Sequence, residues 1–176
     1  MAAVQGLDSL FVVRYSLTDY MRKVLSIADA EAFVGRLRQA NKTVVFTNGV
    51  FDLLHPGHVR YLQDARREGT ALVVAVNSDR SVRAIKGPRR PLNPQQERAE
   101  VLAALACVDA VVIFDEDDPQ QIISRLQPDV LVKGADWAAE AIVGRETVEA
   151  RGGRVVRIPL AEGYSTSAII RKIQGL

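Results

Sequence analysis

Thr43-Val-Val-Phe-Thr-Asn-Gly-Val-Phe-Asp-Leu-Leu-His-Pro-Gly-His58 runs straight into Val-Arg-Tyr-Leu-Gln-Asp-Ala-Arg-Arg-Glu-Gly69, and the fold turns on this stretch. Residues 43 to 47 are a short apolar, β-branched run, the pattern of a buried strand, with the loop signal Asn48-Gly49 directly behind it. Val59, Leu62 and Ala65 then recur at helical spacing, and Pro56 stands where proline is welcome, at the first helical position. Strand, loop and helix are therefore expected, with the helix starting at the histidines. His55 falls near the cap and His58 near the third position, so both imidazoles can face one spot. The first turn of a helix has unpaired N–H groups and the positive end of the helix dipole. Two donors there, with Gly57 between them allowing close backbone approach, make a cradle for a phosphate group.

Two other readings compete for the same pair. A metal site would need three or four ligands, whereas the chain has only 2 histidines and its lone cysteine, Cys107, is far off in sequence. Alternatively His55 merely caps the helix while His58 pairs with a neighbour.

The 176 residues suffice for one domain with a substantial core. A hydrophobic fraction of 48%, a charged fraction of 25% and a net charge of +2 are ordinary for a soluble globular protein, and give no footprint for nucleic-acid binding. One cysteine fits a reducing compartment. Leu10 to Val13 is far too short to span a membrane, and the N-terminus lacks the layout of a signal peptide. A cytoplasmic protein without membrane partners is expected.

Residues 1–27 show no sustained period and read as an N-terminal arm, with the domain proper over 28–176. A helix over Ala28 to Ala40, started by Ser26 or Asp29, leads into the first strand. Ala71 to Val76 is a second continuous apolar run, and apolar strands joined by a helix mark a parallel unit covered on both faces. Further strands are expected at Val108–Phe114, Val130–Val132 and Arg154–Pro159, each after a helical segment. The fold class is thus α/β: one doubly wound, Rossmann-like domain with about five parallel strands and helices on both faces, which binds ligands along the carboxyl rim of the sheet.

Between Arg80 and Pro94 lies a basic segment punctuated by Gly87 and prolines, a candidate lid whose Lys86, Arg89 and Arg90 could cover a polyphosphate. Arg98, on the helix expected over Gln95–Ala106, points to the same rim. The acidic cluster Asp115 to Asp118 sits just before a helix and reads as capping. Trp137 reads as a packing residue, and Ser165-Thr166-Ser167 opens the last helix with hydroxyls suited to phosphate.

Gly49-Val-Phe-Asp-Leu-Leu-His-Pro-Gly-His58, together with Gly163-Tyr-Ser-Thr-Ser167, resembles the cytidylyltransferase-like family of nucleotidyltransferases. Val76 to Asp79, Leu131 to Asp136 and Glu162 to Thr166 are most similar to the branch of that family that joins AMP to a heptose 1-phosphate, in its free-standing form. The resemblance covers roughly residues 28 to 173. It implies in-line attack of the sugar phosphate on the α-phosphorus of ATP, with Mg²⁺ on the phosphates, no protein-held metal, and a homodimer. His55, His58, Lys86 and Arg98 would be catalytic. Thr47, Asn48, Gly49, Phe51, Lys133, Gly134, Asp136, Tyr164, Ser165 and Thr166 would line the nucleotide, and Asp52, Asn77, Asp79 and Arg89 the sugar phosphate. A cytidylyltransferase acting on glycerol 3-phosphate, or a related alcohol phosphate, is the alternative within enzymes. That alternative is weakened because Leu160 and Ala161 stand where its members carry an arginine. A nucleotide-binding module without catalysis is the alternative outside them.

Overall fold

The computed structural model describes residues 20–159, 161 and 163–175. Six strands form one sheet: β1 (Val24–Leu25), β2 (Val44–Gly49), β3 (Ala71–Asn77), β4 (Ala110–Phe114), β5 (Val130–Gly134) and β6 (Arg154–Ile158). Their order across the sheet is β1-β4-β3-β2-β5-β6 and every pairing is parallel. Among the described residues, six α-helices connect them, α1 (Ile27–Gln39), α2 (Pro56–Arg67), α3 (Asp79–Lys86), α4 (Gln95–Ala103), α5 (Gln120–Leu126) and α6 (Arg145–Glu149), and α7 (Thr166–Gln174) follows the last strand.

The apolar runs become strands because both of their faces are covered. All seven residues of β3 are buried. On one face, Val45, Leu72, Val74 and Val76 pack with Tyr61, Leu62 and Ala65 of α2 and with Ala99, Leu102 and Ala103 of α4. On the other, Val44, Phe46, Val73 and Leu131 meet Ala30 and Val34 of α1, Ile122, Ile123 and Leu126 of α5, and Val148 of α6. Side chains such as Leu72 and Leu131, fully buried, each contribute about 1.5–3 kcal/mol to this two-sided core.

From β2 the chain steps outward to β3 and β4, then returns to lay β5 and β6 on the opposite side. The strand order reverses at β2 and β5, and the crevice at their carboxyl ends is where such sheets bind ligands.

Three sequence expectations change. The sheet has six strands rather than five, because Val24 and Leu25 pair with Val111 and Val112 at its edge. Residue 27 is therefore not where the fold begins; residues 1–19 of the expected arm lie outside the described residues. Half of the expected lid is helix: Ser78 caps α3 by accepting from Ser81 N, and only the strap from Gly87 to Pro94 is irregular.

Candidate active site

β2 delivers the chain to the rim at Asn48-Gly49, and α2 leads it back. His55 is the N-cap of α2, extended at φ −139° and ψ 166°, and Pro56 is the first helical residue. The His55 Nδ1 accepts from the backbone N–H of His58 at 3.3 Å, so a neutral His55 carries its proton on Nε2. The two imidazoles are stacked, with centroids 3.8 Å apart and planes 15° from parallel. Phe51, at φ +48°, turns its ring edge-on to His58 at 5.4 Å. That left-handed conformation in a bulky residue is strain of the kind held at functional turns. A side chain at Gly49 would meet the Phe51 ring at 3.0 Å, and one at Gly57 would meet Tyr164 Cβ at 3.0 Å and His55 Nδ1 at 3.1 Å. Both glycines thus permit close approach, and Gly57 allows Tyr164 to reach the histidine turn.

Electrostatically the pair is held neutral. Burial, then the neighbouring His55, pushes the His58 pKa down to about 4, while the Leu53 carbonyl pulls weakly the other way. Burial lowers His55 as well. The His58 Nδ1 is buried and has no hydrogen-bond partner among the described residues; the Leu53 carbonyl forms none with it but accepts the Thr166 hydroxyl at 3.2 Å. An orphaned buried polar atom is rare enough in folded proteins to require a reason.

Across the crevice, Lys133 on β5 donates through Nζ to Asn48 Oδ1 and lies 6.0 Å from the Trp137 ring centroid. Burial pulls its pKa down to about 8. Trp137 is half-exposed rather than packed into the core. Gly134 ends β5, and Asp136 beyond it is exposed.

Other expected ligand-binding side chains are bound to the protein itself. Arg98 is buried: Nε donates to the Asn93 carbonyl at 3.0 Å and Nη1 to the Val50 carbonyl at 2.6 Å. Its Nη2 donates at 2.8 Å to both the Asn77 carbonyl and Asp79 Oδ1. It ties the ends of β2 and β3 to the strap and presents no free N–H fork. Asp52 accepts from Arg90 Nε at 2.6 Å, Leu92 N at 2.8 Å and Asn93 N at 2.9 Å. Asn77 donates to Ser81, and Thr47 is wholly buried against the Tyr61 hydroxyl at 2.8 Å. Ser165 caps α7 by accepting from Ala168 N. In this conformation these groups build the rim. Lys86, last in α3, and Arg89 in the strap are exposed and make no hydrogen bond or ion pair among the described residues.

The acidic cluster divides: Asp118 accepts from Gln120 N at the start of α5, whereas Asp115 and Asp117 pair with Arg80. Arg80 and Asp115, with Arg83, Gln95 and Glu116, line a polar pocket of about 590 Å³ at the ends of β3 and β4. Sequence reasoning missed Arg60, whose guanidinium lies 5.4 Å from the Tyr164 ring centroid. Its one available signal was its place one turn after Pro56. Among the described residues, no group of three or more His, Cys, Asp or Glu could hold a metal, and no helix is long and apolar enough to cross a membrane.

A helix N-terminus carrying two imidazoles, set at the reversal point of a doubly wound parallel sheet, defines a domain that handles phosphorylated nucleotides. The chain belongs to the cytidylyltransferase-like family, whose model matches residues 46–172, and is a nucleotidyltransferase. It is 59% identical over 136 residues to the bifunctional protein HldE of Syntrophotalea carbinolica, covering 77% of this chain and 28% of that protein. It is likewise 59% identical over 140 residues to the bifunctional protein HldE of Citrifermentans bemidjiense, with coverages of 80% and 29%. The chain thus spans less than a third of the length of these relatives. Among solved structures, the lipopolysaccharide core biosynthesis protein of Thermoplasma volcanium matches with a TM-score of 0.60 at 28% identity, covering 69% of this chain and 99% of that one.

Proposed function

We propose that the chain transfers AMP from ATP to D-glycero-β-D-manno-heptose 1-phosphate, releasing pyrophosphate and forming ADP-heptose. The observation that carries adenylyl transfer is the stacked, neutral His55–His58 pair at the N-terminus of α2, with its unsatisfied His58 Nδ1. Likeness to the HldE proteins and to a lipopolysaccharide core biosynthesis protein supports the sugar.

An oxygen of the sugar phosphate attacks the α-phosphorus of ATP, the bond to the bridging oxygen breaks, and pyrophosphate leaves. No protein nucleophile is required. His55 Nε2–H, His58 and the first-turn amides of α2 meet the charge that builds on the phosphates. Adenine lies against Gly134, Asp136 and Tyr164. Lys86 from the end of α3 and Arg89 from the strap close on the outer phosphates, while Arg98, Asp52, Asn77 and Asp79 act by holding strand ends and strap in position. A protein-held Mg²⁺ does not fit, since Asp52 and Asp79 are committed to Arg90 and Arg98. The ion would come on the triphosphate, where it neutralises phosphate charge. In this reading the protein is a cytoplasmic homodimer that touches neither nucleic acid nor membrane.

Pyrophosphate release measured with ATP or CTP, each offered heptose 1-phosphate or glycerol 3-phosphate, tests the reading. Release is expected with ATP and heptose 1-phosphate alone. Release with CTP and glycerol 3-phosphate would transfer the chain to the cytidylyl branch, and silence in all four would leave a binding module.

A further inference from the structure

Three cations sit in the crevice wall or directly behind it, and two of them are answered by carboxylates. Arg90 is paired with Asp52 and Arg98 with Asp79. Lys133 is not answered. Its ammonium donates to the neutral Asn48 Oδ1 on β2 and lies beside the Trp137 ring. Asp136, in the turn after β5, forms no ion pair with it, and Arg157, in register with Lys133 on β6, is a like charge that donates to the Ala135 carbonyl. Among the described residues, then, a partly buried ammonium at the reversal point of the sheet lacks a counter-ion. Withdrawing a cation from water is costly unless an anion answers it, and an apolar side chain of similar length would fill the position without that cost.

We propose that Lys133 holds the α-phosphate of the nucleotide. The assignment rests on the adenylyltransferase reading, because position decides which phosphate is meant. Lys133 stands between Gly134 and Asp136, where that reading has the base, and Asn48-Gly49, where the phosphate turn begins. The group between a base and its leaving pyrophosphate is the α-phosphoryl group. Its non-bridging oxygens carry the charge that a point cation such as lysine neutralises. Asn48, with Oδ1 engaged by Lys133, keeps its amide N–H groups for the same oxygens. The lowered proton affinity of Lys133 agrees with a site that waits for an anion.

Trp137 is the sole tryptophan, lies 6.0 Å from the ammonium and is half-exposed, so it reports on this corner directly. Adenosine and AMP are titrated into the parent protein and into Lys133→Met and Lys133→Arg, read by calorimetry and by Trp137 fluorescence, with a thermal unfolding curve for each protein. Lys133→Met is expected to weaken AMP ~10- to 100-fold, the value of a charge-assisted contact, with adenosine unchanged and the melting temperature equal or higher. Lys133→Arg is expected to recover part of the AMP binding. The assignment falls if AMP binds the parent no better than adenosine, if Lys133→Met leaves AMP unchanged, or if it weakens both ligands alike. It falls too if AMP binding disappears together with a lowered melting temperature. The two readings fail separately: adenylyl transfer with unaltered kcat and KM in Lys133→Met would remove the lysine and keep the enzyme. Lysine-dependent AMP binding without pyrophosphate release from any sugar phosphate would do the reverse.

Discussion

The two sides of the histidine turn treat charge in opposite ways. Behind the strap, Arg90 and Arg98 are paired with Asp52 and Asp79 at 2.6 and 2.8 Å, with the Arg98 side chain 0% exposed and three more of its N–H groups on backbone carbonyls. In the crevice, His55 and His58 are stacked, with burial lowering the proton affinity of both, and Lys133 has an amide and an indole ring beside it but no carboxylate paired with it among the described residues. A buried charge that is answered inside the protein holds the backbone in place and has nothing left to offer a ligand. One left unanswered lowers stability and keeps its binding capacity. The difference separates scaffold from chemistry more sharply than residue type does, since both sides are basic.

The widest test of this contrast is Arg98→Ala, which strands Asp79 and three carbonyls. A loss of about 3–5 kcal/mol in unfolding free energy is expected from urea denaturation, and a loss below about 1 kcal/mol would erase the distinction. Next comes His58→Ala. It should cut pyrophosphate release ~10²-fold or more while the urea midpoint stays near that of the parent, and undiminished turnover would take the residue out of the chemistry. The smallest effect is in pH. The folded-state pKa of His58, about 4, lies below the ordinary 6.5, so the unfolded chain binds more protons between those values. Stability should therefore fall by about 2–3 kcal/mol at most on acidification from pH 6.5 to 4, and His58→Ala should flatten that slope. A triphosphate on the imidazoles favours their charged forms, so ATP binding near pH 6 should take up protons, visible as a buffer-dependent heat in calorimetry.

Much of the fold is written locally. β-branched runs with both faces apolar gave the parallel sheet its interior strands, and Pro56 beside His55 marked the start of α2 to the residue. β1 escaped notice because two residues cannot carry a period, and α3 because only Ser81 and Val82 of its eight residues are buried, which leaves its basic face to dominate the pattern. The histidine turn was legible for the same local reason: both residues and their glycine lie within one helical turn. Arg98 and Asp52 read from the sequence as ligand contacts, and what the sequence could not show is the set of partners that folding brings to them. Asp52 meets residues of the 90–93 turn, and Arg98 meets carbonyls at 50 and 77. The sequence displays a charge without saying who neutralises it. The Thr47–Tyr61 hydroxyl pair was hidden for the same cause: a period identifies a core position and is silent about which hydroxyl waits there.

The bond from the Thr166 hydroxyl to the Leu53 carbonyl joins positions 113 residues apart, and it fastens a helix with no buried residue of its own. A helix held this way is of the kind that opens at low cost, whereas strands as buried as β3 are of the kind that open last. Tyr164, stacked on His55 and close against Gly57, immediately precedes the Ser165 cap of that helix. Nucleotide bound at the histidine turn would be in contact with both the most and the least persistent portions of the chain. Saturation at one hundred times the dissociation constant would add about 2.7 kcal/mol to the cost of detaching the last segment. With nucleotide so placed, the C-terminal helix would be a latch whose strength follows the concentration of that ligand.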